Sequence, residues 1–227
     1  MNNLYSENNK VTIIGTVESE PEFSHEVYGE TFFSFILSVP RLSNAADKIV
    51  VTVSERYSPI VSIKVGDAVL INGQFRSYNN FTNVGNKLIL TVFVKEIENV
   101  SDISEYSNPN SIFLNGYICK PPVYRTTPFG REIADILLAV NRSYNKSDYI
   151  PCIAWGRNAK FAESLETGTQ VKIHGRIQSR EYQKKISEEE FLTKVAYEVS
   201  VSKMEIETTI KNTRTLLIFK VDLILHL

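Results

Sequence analysis

The stretch "DYIPCIAWGR" (148–157) holds the chain's only tryptophan. Side chains alternate along a strand, so Tyr149, Pro151, Ile153 and Trp155 share one face. Ile150, Cys152 and Ala154 share the other, and that set is small and apolar enough for an interior. The first set presents two large π faces, six residues or about 20 Å apart at strand rise. An exposed π face can stack on a planar ring, and Arg157, directly after, can neutralise an anion. A lone tryptophan in an apolar run is ordinarily core, so this reading needs support from the rest of the chain.

Charge supplies some. Residues 1–106 carry 8 basic and 13 acidic residues, whereas residues 107–185 carry 12 and 6, so a net −1 conceals a basic segment. Arg142, Lys146, Arg157, Lys160, Arg176, Arg180, Lys184 and Lys185 all fall within it. Such a segment is the electrostatic footprint of a polyanion site. Aromatics interleaved with cations, with no base-reading motif, point to single-stranded nucleic acid bound with low sequence preference.

Catalysis finds little to work with. His25, His174 and His226 are scattered and lack metal-ligand spacing, and no phosphate-binding loop or nucleophile elbow occurs. The three acids of "ISEEE" (186–190) read as a solvated loop. Cys119 and Cys152 are too few for a disulfide framework and read as buried thiols. The expectation is a non-enzymatic protein with no metal and no cofactor. No apolar leader opens the chain and no run of 18 apolar residues occurs, so no membrane is expected and the expected place is the cytoplasm, at the nucleoid.

The chain repeats itself. "VTIIGTVESEPEF" (11–23) matches "SIFLNGYICKPPVY" (111–124) at a shift of 101, with Gly15 on Gly116 and Pro21 on Pro122. "VGDAVLINGQFRS" (65–77) matches "TGTQVKIHGRIQS" (167–179) at a shift of 102. Two units are predicted, 8–100 and 110–207, joined by a polar linker and followed by an apolar tail, 208–227. In the second unit "SIFLNGYIC", "REIADILLAV" and "DYIPCIAW" read as strands. "RNAKFAESLET" reads as a helix capped by Gly168, and two more strands follow, with Gly175 marking a bulge. In the first unit the helix slot, "ERYSPIVSIKV", holds Pro59 and predicts a short or irregular turn. Three strands, a helix and two strands in about 95 residues give the fold class. It is all-β with short helices, built as two tandem five-stranded Greek-key OB-fold barrels.

The second unit is also similar to a known family. "GREIADILLAVNRSY…SDYIPCIAWGRNAKFAESLETGTQVKIHGRIQSREY" resembles the bacterial single-stranded DNA-binding protein family, in its hairpin glycine, its "LAVNR" strand end and its aromatic-Gly-basic turn into a helix. The resemblance implies that Tyr144, Tyr149, Trp155 and Tyr182 stack on bases. It further implies that Arg142, Arg157, Lys160, Arg176, Arg180 and Lys184 meet phosphates. It implies single-stranded DNA as partner, roles in DNA replication, recombination and repair, and a homodimer that brings four OB-folds together.

The first unit carries Ser43, Lys48, Ser54 and Asn80 at the four aromatic positions. It is expected to be a structural unit, packed on the second and contributing to subunit contacts. Tyr57, Tyr78 and Phe81 are its candidates for a displaced platform. The chain's end, "TTIKNTRTLLIFKVDLILHL", is apolar and basic where the family's recruiting tail is acidic, so recruitment of replication and repair proteins is not implied. An alternative role for such a chain is an OB-fold protein–protein module, a primosome-like accessory with weak nucleic-acid binding.

Overall fold

The structure is a computed structural model that describes residues 8–43, 45–57, 63–82, 85–185 and 191–207. The apolar tail, "ISEEE" and the middle of the first unit's helix slot, 58–62, lie outside the described residues. Among the described residues no helix is long and apolar enough to cross a membrane.

The first unit comprises β1 (Asn9–Val17), β2 (Glu22–Val27), β3 (Glu30–Pro40), β4 (Ala46–Ser54), β5 (Ala68–Thr82) and β6 (Gly85–Asn99). β1 pairs with β3, β3 with β4, β4 in parallel with β6, β6 with β5, and β5 with β1, which closes a five-stranded barrel. After a linker with one 3-10 turn (Ile103–Glu105), the second unit repeats the scheme. Its elements are β7 (Asn110–Ile118), β8 (Val123–Thr126), β9 (Glu132–Arg142), β10 (Lys146–Trp155), α1 (Arg157–Glu163), β11 (Gln170–Lys185) and β12 (Phe191–Ile206). The ring β7-β9-β10-β12-β11-β7 has the same single parallel contact, Cys152 opposite Val199. This is the Greek-key connectivity of an OB-fold, twice.

Period-two alternation explains the interior. Phe35, Leu37 and Val39 in β3 are buried, as are Ile136, Leu138 and Val140 in β9 and Ile150, Cys152 and Ala154 in β10. Gly175 sits at a register shift between β11 and β12, and a Cβ there would run into the backbone carbonyl of Ser200. Backbone cannot swing aside as a side chain can. Gly175→Ala should therefore cost about 1–3 kcal/mol in a denaturant titration, the range for forced overpacking; an unchanged midpoint would show that the bulge absorbs the methyl.

Three expectations need correction. Each unit has a short extra strand, β2 or β8, hydrogen-bonded to β3 or β9 outside the ring. The helix ends at Glu163, because Ser164 and Leu165 turn back onto Phe161 and Ala162 with three-residue hydrogen bonds. Gly168, at φ +88, serves the turn into β11 and is not the helix cap. Cys152 is buried, which pushes its thiol well above the ordinary range, but Cys119 lies just past the end of β7 and is partly exposed.

The two barrels are joined by strand pairing and by a symmetric polar junction. β1 and β7 run antiparallel, from Asn9 opposite Leu114 to Ile13 opposite Asn110. The central pair, Val11 and Ile112, are equivalent positions of the repeat, so the junction has a local two-fold character. Ser179 N–H donates to Asp47 (2.8 Å) and its hydroxyl accepts from Lys48 N–H (3.0 Å). The mirror set is Ser77 N–H to Asp148 (2.8 Å) and Tyr149 N–H to the Ser77 hydroxyl (2.7 Å). Both carboxylates are fully buried. Asp47 additionally accepts from Arg41, through Nε at 2.9 Å and Nη2 at 2.5 Å, and from Arg176 Nη1 at 2.9 Å. Asp148 has Arg142 at 3.4 Å, and burial raises its carboxyl above the ordinary aspartate value.

Candidate nucleic-acid interface

The outer face of β7, β9 and β10 is where the second unit places its exposed rings. Tyr149 (47% exposed) and Trp155 (37%) both point outward from β10. Tyr149 lies opposite Ala139, which lies opposite Tyr117 on β7, itself 38% exposed. The small Ala139 thus separates two outward rings on one cross-strand row. Ile153 shares their parity but is buried, so the exposed rings flank a covered middle of the strand.

Local geometry fixes the ends of this face. Tyr144 is 94% exposed in the three-residue turn between β9 and β10, where it and Asn145 hold φ +62 and +53. Asparagine tolerates that region readily and tyrosine seldom does, so the turn holds an exposed ring at some conformational cost. Beyond Trp155, Gly156 adopts φ +52 and ψ −119 and starts α1, with Arg157 as the first helical residue, exposed. Its N–H donates to Glu132 O at 2.9 Å, tying the turn to β9. Lys160, one turn on, lies 3.1 Å from Glu132, which also accepts from the Tyr124 hydroxyl at 2.8 Å. Those two partners hold the half-buried Glu132 carboxyl below its ordinary value, Tyr124 first.

The β11–β12 hairpin forms an arm. Tyr182 (39% exposed) lies three residues before the end of β11, paired opposite Lys194. The guanidinium of Arg180 lies 5.9 Å from its ring centroid, within cation–π range, and its Nε is 3.9 Å from Glu198.

The predicted cations therefore divide. Arg157, Lys160 and Arg180 have mostly exposed side chains. Arg142 and Arg176 instead face buried carboxylates of the junction, Asp148 and Asp47, and Arg176 also donates to Gln178 at 3.1 Å. Sequence does not separate these sets, because the carboxylate that claims Arg176 lies 129 positions away. The side chain of Lys184 lies outside those described, as does that of Phe81. In the first unit Tyr57 packs against the core, and Lys48, equivalent to Tyr149, pairs with Glu18 at 2.5 Å.

Two further positions matter that the sequence reading passed over. Tyr117 was hidden in the apolar run "SIFLNGYIC". Ser77 was hidden in another unit, although Ser77 and Ser179 align in the repeat. Ser77 fixes the backbone of Tyr149, so the first unit positions the second unit's platform.

Two closed Greek-key rings, one bearing outward aromatic rings beside exposed cations, define a tandem OB-fold protein with a face suited to stacking planar groups. The family model that matches is the "Single-strand binding protein family", over residues 109–206. That match lies wholly within the second unit, so it is the second unit that is similar to this family. The single-stranded DNA-binding protein A of Bacillus subtilis is 34% identical over 96 residues, 39% of this chain and 56% of the relative. A single-stranded DNA-binding protein of Staphylococcus aureus is 36% identical over 93 residues, again 56% of its length. The chain thus spans little more than half of the curated relatives it matches. The crystal structure of the wild-type single-stranded DNA binding protein from Thermus aquaticus is similar in fold across both units. It gives a TM-score of 0.65 at 19% identity and covers 88% of this chain and 93% of that one.

Proposed function

We propose that this chain binds single-stranded DNA without sequence preference and protects it during replication, recombination or repair. The observation that carries the reading is the pair Tyr149 and Trp155, outward on a barrel strand whose first-unit equivalents are Lys48 and Ser54. A strand that the fold can build without those rings in one copy has them for another purpose in the other. Bases stack on Tyr149 and Trp155, with Tyr117 beside them and with Tyr144 and Tyr182 reaching from the turn and the arm. Stacking needs only a π face, which every base has, and so it does not read sequence. Arg157, Lys160 and Arg180 neutralise phosphates as the strand passes.

Neutralisation releases counterions, so affinity must fall with salt. Each phosphate neutralised on a single strand adds about −0.7 to the slope of log K against log salt. Three outward cations predict a slope of about −2, steepening if Lys184 or Arg142 joins them. Oligo(dT) binding measured by anisotropy over a salt series checks this. Affinity independent of salt would instead favour a protein partner for the same face. The family relation supports a homodimer of two-unit chains in the cytoplasm, which sedimentation velocity tests through its mass.

A further inference from the structure

The first unit has chemistry of its own on a different surface. A groove of about 610 Å³ lies on the outer face of β3, β4, β5 and β6, beside the β2–β3 hairpin. Four rings line it. His25 stacks on Phe32 with centroids 4.8 Å apart and planes 10° apart, Phe32 meets Phe93 at 5.6 Å, and Tyr78 approaches His25 at 6.4 Å. Arg76 lies over the Phe93 ring, with its guanidinium carbon 3.8 Å from the centroid. Arg142, from the second unit, also lines the groove.

The charges there do not balance. Arg76 and Arg142 share one buried carboxylate, Asp148, and Arg76 Nε is buried with no hydrogen-bond partner. Burial, and then the neighbouring Arg142, bring the Arg76 guanidinium down to about 10. An anion placed between the two arginines would supply the missing acceptor. The repeat does not explain the cluster, because the equivalents of Phe32, Arg76, Tyr78 and Phe93 are Ile133, Gln178, Arg180 and Ser200.

We infer that this groove takes one nucleotide of the bound single strand, its base against Tyr78 and His25 and its phosphate at Arg76 and Arg142. Planar walls, a guanidinium over an aromatic ring and an unsatisfied donor suit a ring joined to an anion better than an apolar ligand. Arg142 gives the continuity, since it ends β9 two residues before Tyr144. A strand on the second unit's platform can therefore run past Arg142 into the first unit. The inference rests on the proposed function, and it assigns the first unit a share in binding beyond its structural part.

Two measurements on the full chain test it. In the wild-type protein, photocrosslinking with 5-iodouracil oligonucleotides of about 30 residues should label peptides holding His25, Tyr78 or Phe93 as well as second-unit peptides. Labels confined to the second unit would overturn the inference. The double variant His25→Ala/Tyr78→Ala should lose about tenfold in affinity for the long oligonucleotide. It should keep its affinity for one of about 8 nucleotides, within the range one barrel occupies. Equal affinity of variant and wild type for both lengths would overturn it. No binding of either length by the wild type would contradict the proposed function first, and the inference would fall with it.

Discussion

Trp155→Ala is expected to weaken oligo(dT) binding by about 1–3 kcal/mol, which is roughly 5- to 150-fold. Anisotropy of a labelled oligonucleotide reads this without needing the tryptophan. Trp155 is 37% exposed and lies opposite the buried Ile133, so binding is compared at a temperature where circular dichroism shows the variant folded. Tyr149→Ala should act in the same direction, and more weakly if the Ser77 contact to its backbone keeps β10 in place. The two sites are about 20 Å apart, so their effects should add. A variant that binds as the wild type does would return Trp155 to a purely structural part.

The second large effect is expected at the junction. Asp47→Ala should lower stability by about 3 kcal/mol, read from the denaturant midpoint. Removing one member of a buried, hydrogen-bonded charge group leaves its partners uncompensated, at about 3–5 kcal/mol. Arg41, Arg176 and the Ser179 N–H would all lose their carboxylate acceptor, leaving Arg41 only the Ser179 carbonyl and Arg176 only Gln178. The lower end applies because both arginines are partly exposed and can turn to water. Asp148→Asn should cost less. Asp148 has one firm backbone donor, an arginine at 3.4 Å and an oxygen with no partner, and its charge is already disfavoured by burial. Equal costs at the two sites would mean that the donors around Asp47 are not what holds the barrels together.

Much of the fold was legible. Shifts of 101 and 102 aligned the strands of both units, and period-two alternation separated Ile150, Cys152 and Ala154 from Tyr149 and Trp155. β2 and β8 were not legible, because they lie outside the rings and have no buried face to impose a pattern. The helix end was misplaced because Gly168 signals a left-handed residue without saying which element it ends. On the site, residue type alone could not tell the outward Arg157 from the junction's Arg176. The first-unit groove was hidden for a similar reason. Phe93 sits in "LILTVFVKEI", which reads as core, and only the β5–β6 register sets it beside Arg76 on the outer face.

The central claim is that DNA stacks on the second unit's platform, and the chain has a single tryptophan to report it. Titration with oligo(dT) at low salt, followed by Trp155 emission, should show saturable quenching that added salt reverses. Emission unchanged through the titration, with no complex seen by sedimentation, would contradict the account.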